Sequence, residues 1–340
     1  MKGENVMSKN APGVERETAA DTTPGIHHIT AVSGDPQKTV GFYVGVLGMR
    51  LVKKSVNQDS PDTYHLFFAD GVGNPGTDLT FFPWPNLPPV RAGAGQWGEI
   101  ALGVPAGSLG FWMERLSQAR VGADKLSIST EERFGEPTLR FIDPNGMPVA
   151  LVESESYDGF PFTPWTGSPV AAENQVRSLA GIRITVRDIE PVSRFLSAGL
   201  GFRETSEHDG FKRFAVGDGA AGQRIDITVD AHAPRGTQGV GAVHHVAWRT
   251  RDSDSQLAVR ERITSAGARP TDVIDRFWFK SIYFTEPSGA LLEVATDGPG
   301  FTIDEPVETL GEKLILPPRF EPYRDRIEAA LPAVSTRRLL

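Results

Sequence analysis

Seven histidines occur in the 340-residue chain, and four of them form two dipeptides, His27-His28 and His244-His245. Each pair runs on into an aliphatic and then a small residue, Ile29-Thr30 and Val246-Ala247. Glu293 stands among Leu291, Leu292 and Val294, where a carboxylate is costly to bury unless it is paired or ligated. Two histidines and one carboxylate make a facial triad, which leaves coordination positions open for substrate and dioxygen on non-heme Fe(II). Adjacent side chains of a regular strand face opposite ways, so unbroken geometry lets only one His of each pair reach a common centre. The chain has no cysteine, which removes thiolate metal sites, cysteine nucleophiles and disulfides together. Any metal must be held by His, Asp or Glu.

These residues sit in a repeated frame. Gly25 to Asp35 reads as a strand ending in a Gly-Asp breaker, and Asp35-Pro36 supplies an N-cap and a first-turn proline. Val40, Phe42, Tyr43, Val46 and Leu47 follow at near-helical spacing until Gly48. Short strands are expected at 50–54, 65–69 and 78–82. The order recurs: strand 99–104, helix 108–119, strands 139–142 and 149–153; strand 181–186, helix 191–198, strand 225–229; strand 243–249, helix 253–266, strands 282–285 and 291–295. Each helix precedes several short strands joined by tight turns, so the expected class is α+β rather than parallel α/β: four βαβββ units forming two paired-module half-barrels.

Residues 24–154 are expected to form a first half, 155–177 a Pro-, Gly- and aromatic-rich linker, and 178–300 a second half whose metal site is shared with unit one. Residues 301–340 read as an extension wrapping the body through Phe301, Leu314, Leu316 and Phe320. Residues 1–23 lack an apolar run and read as a disordered tail rather than a secretory signal. The net charge of −8 and the lack of a basic run argue against nucleic acid. No window approaches the length of a membrane span. A cytoplasmic protein is expected, with a homo-oligomer left open.

Taken together, GIHHITAVSGD, YHLFFAD with GNPGT, GAVHHVAW, SIYFTEPSGALLEVATDGPGF and an LG…L.LPP tail resemble the vicinal-oxygen-chelate superfamily, and within it the hydroquinone-type ring-cleaving dioxygenases. The resemblance spans roughly residues 24–320. It implies Fe(II), or Mn(II) on the same ligands, with O2 as co-substrate and a small aromatic diol as substrate. It places the metal ligands at His28, His245 and Glu293, and pocket residues at His27, Thr30, His244, Arg276 and Tyr283. Both members of each His pair then lie at the site, so a bulge or a strand end is expected there. His27 or His244 would do acid–base work, Tyr283 would donate a hydrogen bond to the phenolate or peroxo oxygen, and Arg276 would stabilise negative charge or meet the distal hydroxyl. Phe277, Trp278 and Phe279 would suit a planar ring.

Matching the units by sequence sets Glu99 against His245, Ala150 against Glu293, Arg183 against His28, and Asp226 against Thr80. Units one and four should share one cup and units two and three the other, with Arg183 replacing the lost metal and pairing with Glu99 or Asp226. Three alternatives stay open: a catechol-type extradiol dioxygenase; a glyoxalase-like metal isomerase, which would want a fourth ligand where Thr80 stands; and a metal-free small-molecule binding or resistance protein.

Overall fold

The computed structural model describes residues 23–121, 124–154 and 160–335. Unit one supplies β1 (Ile26–Ser33), α1 (Pro36–Val40, continuing as a π-turn to Val46), β2 (Arg50–Asn57), β3 (Ser60–Ala69) and β4 (Asp78–Pro83). Unit two supplies β5 (Trp97–Pro105), α2 (Leu109–Gln118), a detached pair β6 (Arg120–Val121) and β7 (Asp124–Lys125), then β8 (Ile128–Arg133), β9 (Glu136–Ile142) and β10 (Pro148–Ser154). Unit three has β11 (Ser178–Val186), α3 (Ile189–Leu200), β12 (Arg203–His208), β13 (Phe211–Ala215) and β14 (Arg224–Val229). Unit four has β15 (Val243–Thr250), α4 (Ser253–Ser265), β16 (Ile274–Asp275), β17 (Lys280–Thr285) and β18 (Leu291–Thr296).

Two eight-stranded sheets result, ordered β16-β17-β18-β15-β1-β4-β3-β2 and β12-β13-β14-β11-β5-β10-β9-β8. This is the α+β arrangement of two curled half-barrels expected from the four units. Sheet one joins units one and four through the antiparallel β1–β15 seam, and sheet two joins units two and three through β5–β11. The strands β8, β12, β13 and β16 had no counterpart in the sequence reading. Most positions of β8 and β12 are exposed or half-exposed, so their sequences lack the apolar alternation that marks a half-buried strand.

The seam is where the paired histidines are accommodated. Along β1–β15 the register runs Ile26↔Trp248, His28↔Ala247, Thr30↔His245 and Ala31↔Val243. One residue is extra on each strand, His27 on β1 and His244 on β15. Each is a β-bulge, which suspends the alternation of faces and lets both members of a pair turn inward.

Residues 1–22 of the expected tail, and 155–159 of the expected linker, lie outside the described residues. Thr23 is buried, its hydroxyl donating to the Arg249 carbonyl at 2.8 Å. The rest of the 155–177 segment packs on the body: Gly71 N–H donates to the Thr163 carbonyl. A Cβ added at Gly76 would meet the Phe160 ring at 2.3 Å, so only glycine allows that ring its place.

The C-terminal extension is held by a buried lysine. Lys53, on β2 and fully buried, donates through Nζ to Asp304 at 2.6 Å, to the Phe301 carbonyl at 3.2 Å and to Glu305. Leu316 and Ile327 from the extension pack on Val56, while Phe301 packs with Phe67 and Trp278. A buried lysine is tolerable only with such partners. Replacing it as Lys53→Ala strands two carboxylates and is expected to lower unfolding free energy by about 3 kcal/mol, read from urea denaturation. An unchanged midpoint would show that the extension is not anchored there.

Candidate metal centre and active site

His28 on β1, His245 on β15 and Glu293 on β18 converge at the centre of sheet one. His245 Nε2 lies 2.9 Å from Glu293 Oε2, His28 Nε2 lies 3.3 Å from the same oxygen, and the two Nε2 atoms are 3.4 Å apart. Ligand atoms held about 2.1 Å from one ion, at angles between octahedral and tetrahedral, would be separated by about 3.0–3.4 Å. Both Glu293 oxygens are buried without a well-directed hydrogen bond. Three buried donor atoms aimed at one point fit a divalent metal. Among the described residues this is the one cluster of such groups able to hold one.

The bulged histidines grip the rings behind the ligands. His27 Nδ1 is 2.9 Å from His28 Nδ1, and His244 Nδ1 is 2.8 Å from His245 Nδ1. A ligand ring that turns its Nε2 lone pair to a metal carries its proton on Nδ1, so each ligand donates and each bulged histidine accepts. His27 then bears its proton on Nε2, which is 3.1 Å from the Thr296 carbonyl. Both nitrogens of His27 are thereby engaged. His244 is less buried and packs against Phe82 and Trp84.

A narrow cleft opens above the triad, walled by Phe67, Phe82, Trp278 and Phe279. Tyr283 and Arg276 form its polar side. Arg276 Nε lies 3.3 Å from Tyr283 Oη, and its other two nitrogens clasp Asp59 at 3.1 and 2.9 Å. Thr30 turns from the cleft to Thr80, hydroxyl to hydroxyl at 2.8 Å, and His65 Nε2 meets the same Thr80 hydroxyl at 2.9 Å. Phe277 is not among the residues lining the cleft, although Trp278 and Phe279 are. His65 and Asp59 were missed from sequence. A lone histidine in YHLFFAD and an aspartate in a hairpin turn carry no spacing signal, and only the β2–β3 hairpin brings them over the metal position.

Charge in the site follows burial. Desolvation, and then the facing histidines, push His27 and His65 well below the usual imidazole range and take His244 down to about 3. Burial also lowers His245, although Glu293 opposes it. Burial would raise the Glu293 carboxyl, yet His28 and His245 outweigh it and hold it well below the carboxylate range. Burial lifts the Tyr283 phenol, so it stays a donor.

The corresponding place in sheet two is dismantled. Its seam carries the same two shifts, with Ala180 and Gly98 as the extra residues. By register Gly181 stands where His28 does, Glu99 where His245 does and Ala150 where Glu293 does. Arg183 therefore corresponds to Thr30, a correction to its sequence match with His28. The sequence match is off by two residues: across its seam Gly181 pairs with Ala101 as His28 pairs with Ala247. Asp226 does take the place of Thr80. Arg183 lies 3.8 Å from Glu99 and 3.9 Å from Asp226, so the expected pairing is present at long range.

Residues 25–149 and 178–294 match the family described as the glyoxalase/bleomycin resistance protein/dioxygenase superfamily. The chain is 40% identical over 321 residues to MhqO of Bacillus subtilis (strain 168), provisionally named a ring-cleaving dioxygenase, covering 94% of this chain and 99% of that one. It is 33% identical over 311 residues to the chlorohydroquinone/hydroquinone 1,2-dioxygenase of Sphingobium indicum, covering 89% and 94%. The crystal structure of a provisionally named dioxygenase from Bacillus subtilis superposes with TM-score 0.85 at 39% identity, over 93% of this chain and 98% of that one. Glyoxalase I from Zea mays shares the fold, with TM-score 0.59 at 17% identity over 80% and 92%.

The buried imidazoles set the acid stability of the metal-free chain. His27, His65, His244 and His245 fold neutral, whereas an unfolded histidine titrates near 6.5. Below that pH the unfolded state binds more protons, so stability is full above it and falls as pH drops toward the lowered folded values. Unfolding free energy should fall by about 2 kcal/mol or more between about pH 6.5 and 5, measured by urea denaturation. His65→Phe should flatten the decline, and a flat profile in the unsubstituted chain would contradict the buried neutral state.

Proposed function

Because the chain belongs to the glyoxalase/bleomycin resistance protein/dioxygenase superfamily, we propose that it is an Fe(II)-dependent dioxygenase that cleaves the ring of substituted hydroquinones with O2. The observation that carries this reading is a His-His-Glu donor set at the floor of an aromatic-walled cleft, in a chain one-third identical to a hydroquinone dioxygenase over nearly its whole length. Bound there, Fe(II) would keep positions open for a hydroquinone oxygen and for dioxygen and would ease loss of the proton from the bound hydroxyl. Mn(II) fits the same ligands.

The chain's own residues do the rest. Phe67, Phe82, Trp278 and Phe279 exclude water and hold the ring flat over the ligands. Tyr283, a protonated phenol, donates toward oxygen atoms of the reacting pair. Arg276, fixed by Asp59, keeps positive charge beside that phenol as negative charge grows on the substrate. His65 is neutral and within the cleft, placed to move a proton to or from a substrate hydroxyl. Thr30 supports it through Thr80, which meets the His65 ring.

His27 and His244, expected at first as acid–base groups, serve instead as positioning residues, because each spends Nδ1 on a ligand ring. The donor set has three members, and a threonine hydroxyl stands in the fourth place. That favours a dioxygenase, which needs open positions, over a four-ligand isomerase.

Oxygen uptake by Fe(II)-loaded protein with chlorohydroquinone is the test. Uptake with loss of ring absorbance is expected, abolished in His245→Ala and slowed about 10- to 100-fold in Tyr283→Phe with metal content unchanged. Stoichiometric metal without uptake on hydroquinones would defeat the reading. Uptake confined to catechols would reassign the substrate.

A further inference from the structure

The second cup has lost its metal ligands but not its cavity. Where sheet one carries His28 and Glu293, sheet two carries Gly181 and Ala150, and where sheet one has its bulged histidines, sheet two has Ala180 and Gly98. Between the trimmed positions lies a small cavity lined by Arg133, Arg183, Arg213 and Arg224 with Glu136 and Asp226. The aromatic lining of the first cup is also replaced. By register Arg140 stands where Tyr283 does and Arg213 where Phe67 does.

The charges do not cancel. Arg133 pairs with Glu99 at 2.6 Å and also with Glu131; Arg140 pairs with Glu99 at 2.7 Å; Arg213 pairs with Asp226 at 2.8 Å; Arg224 pairs with Glu136 at 2.6 Å. Arg183, stacked 4.0 Å over Phe211, has only ion contacts of 3.6 to 3.9 Å. These five guanidinium groups face four carboxylates, which leaves one positive charge in excess. Two guanidinium N–H groups are also buried without a hydrogen-bond partner, Arg133 Nη2 and Arg183 Nε, and Arg133 itself is only 2% exposed. Buried N–H groups on charged side chains are costly to leave unpaired.

The geometry points to a second ligand site in this cup that takes one small carboxylate. One excess positive charge calls for a monoanion, and two unpartnered N–H donors suit the two oxygens of a single carboxylate. The half-exposed Arg140 and Glu131 at its edge leave a way in. The site is independent of the metal and of the reaction proposed above.

Equilibrium dialysis of the full chain against radiolabelled acetate at constant ionic strength, with chloride as the balancing anion, tests this. About one acetate per chain at millimolar concentration is expected, retained in His245→Ala, which removes the metal centre, and weakened at least about tenfold in Arg183→Gln. Arg183→Lys, which keeps the charge without the Nε–H, serves should the glutamine variant fail to fold, and is also expected to bind more weakly. Absence of saturable binding would overturn the proposal. So would binding lost in His245→Ala, which assigns the acetate to the metal centre, or binding equally strong in the Arg183 variants.

Discussion

The antiparallel seam between β1 and β15 is the constraint on which the site depends. It joins residues 217 positions apart in the chain, and it carries one extra residue on each strand. Without the bulges, alternation would send one histidine of each pair to the far face of the sheet. With them, the ligand and the histidine that orients it share one face, and a neighbour in sequence becomes a partner in space. Parallel pairing of β15 with β18 then sets Glu293 level with Ala247, two residues beyond His245, which brings the carboxylate to the same point.

The centre is expensive to build, and the surrounding structure shows how it is tolerated. A fully buried carboxylate, Glu293, shares its point of convergence with two imidazoles; those imidazoles are oriented by two more, and one of these ends on a backbone carbonyl. The polar chain is closed at its base and open only toward the cleft. There Arg276 and Asp59 bridge unit four and the hairpin of unit one, so the rim as well as the floor spans both units.

Much of this was legible in sequence where residue type and repetition coincide. Two identical dipeptides at the start of two similar units, with a lone glutamate in an apolar strand, pointed to the three side chains that converge in the first cup. The four units were legible because Gly, Asp and Pro punctuate them at matching places. What the sequence hid was register. A slip of two residues in matching β1 with β11 was enough to set Arg183 against the wrong partner. Strands β8 and β12 were hidden by solvent-facing side chains, and His65 and Asp59 by their dependence on how a hairpin folds over the cup.

The nesting of the sheets also has a consequence for assembly. Sheet two uses only residues 97–229, a contiguous stretch, whereas sheet one needs strands from both ends of the chain. A nascent polypeptide that has emerged only as far as Asp230 holds every strand of the second cup and a single ligand of the first. Pairing of β5 with β11 inside that stretch shortens the effective loop between β1 and β15, and with it the entropy of closing the outer seam. The half without the His-His-Glu set thus acts as the splint on which the half that carries it can close.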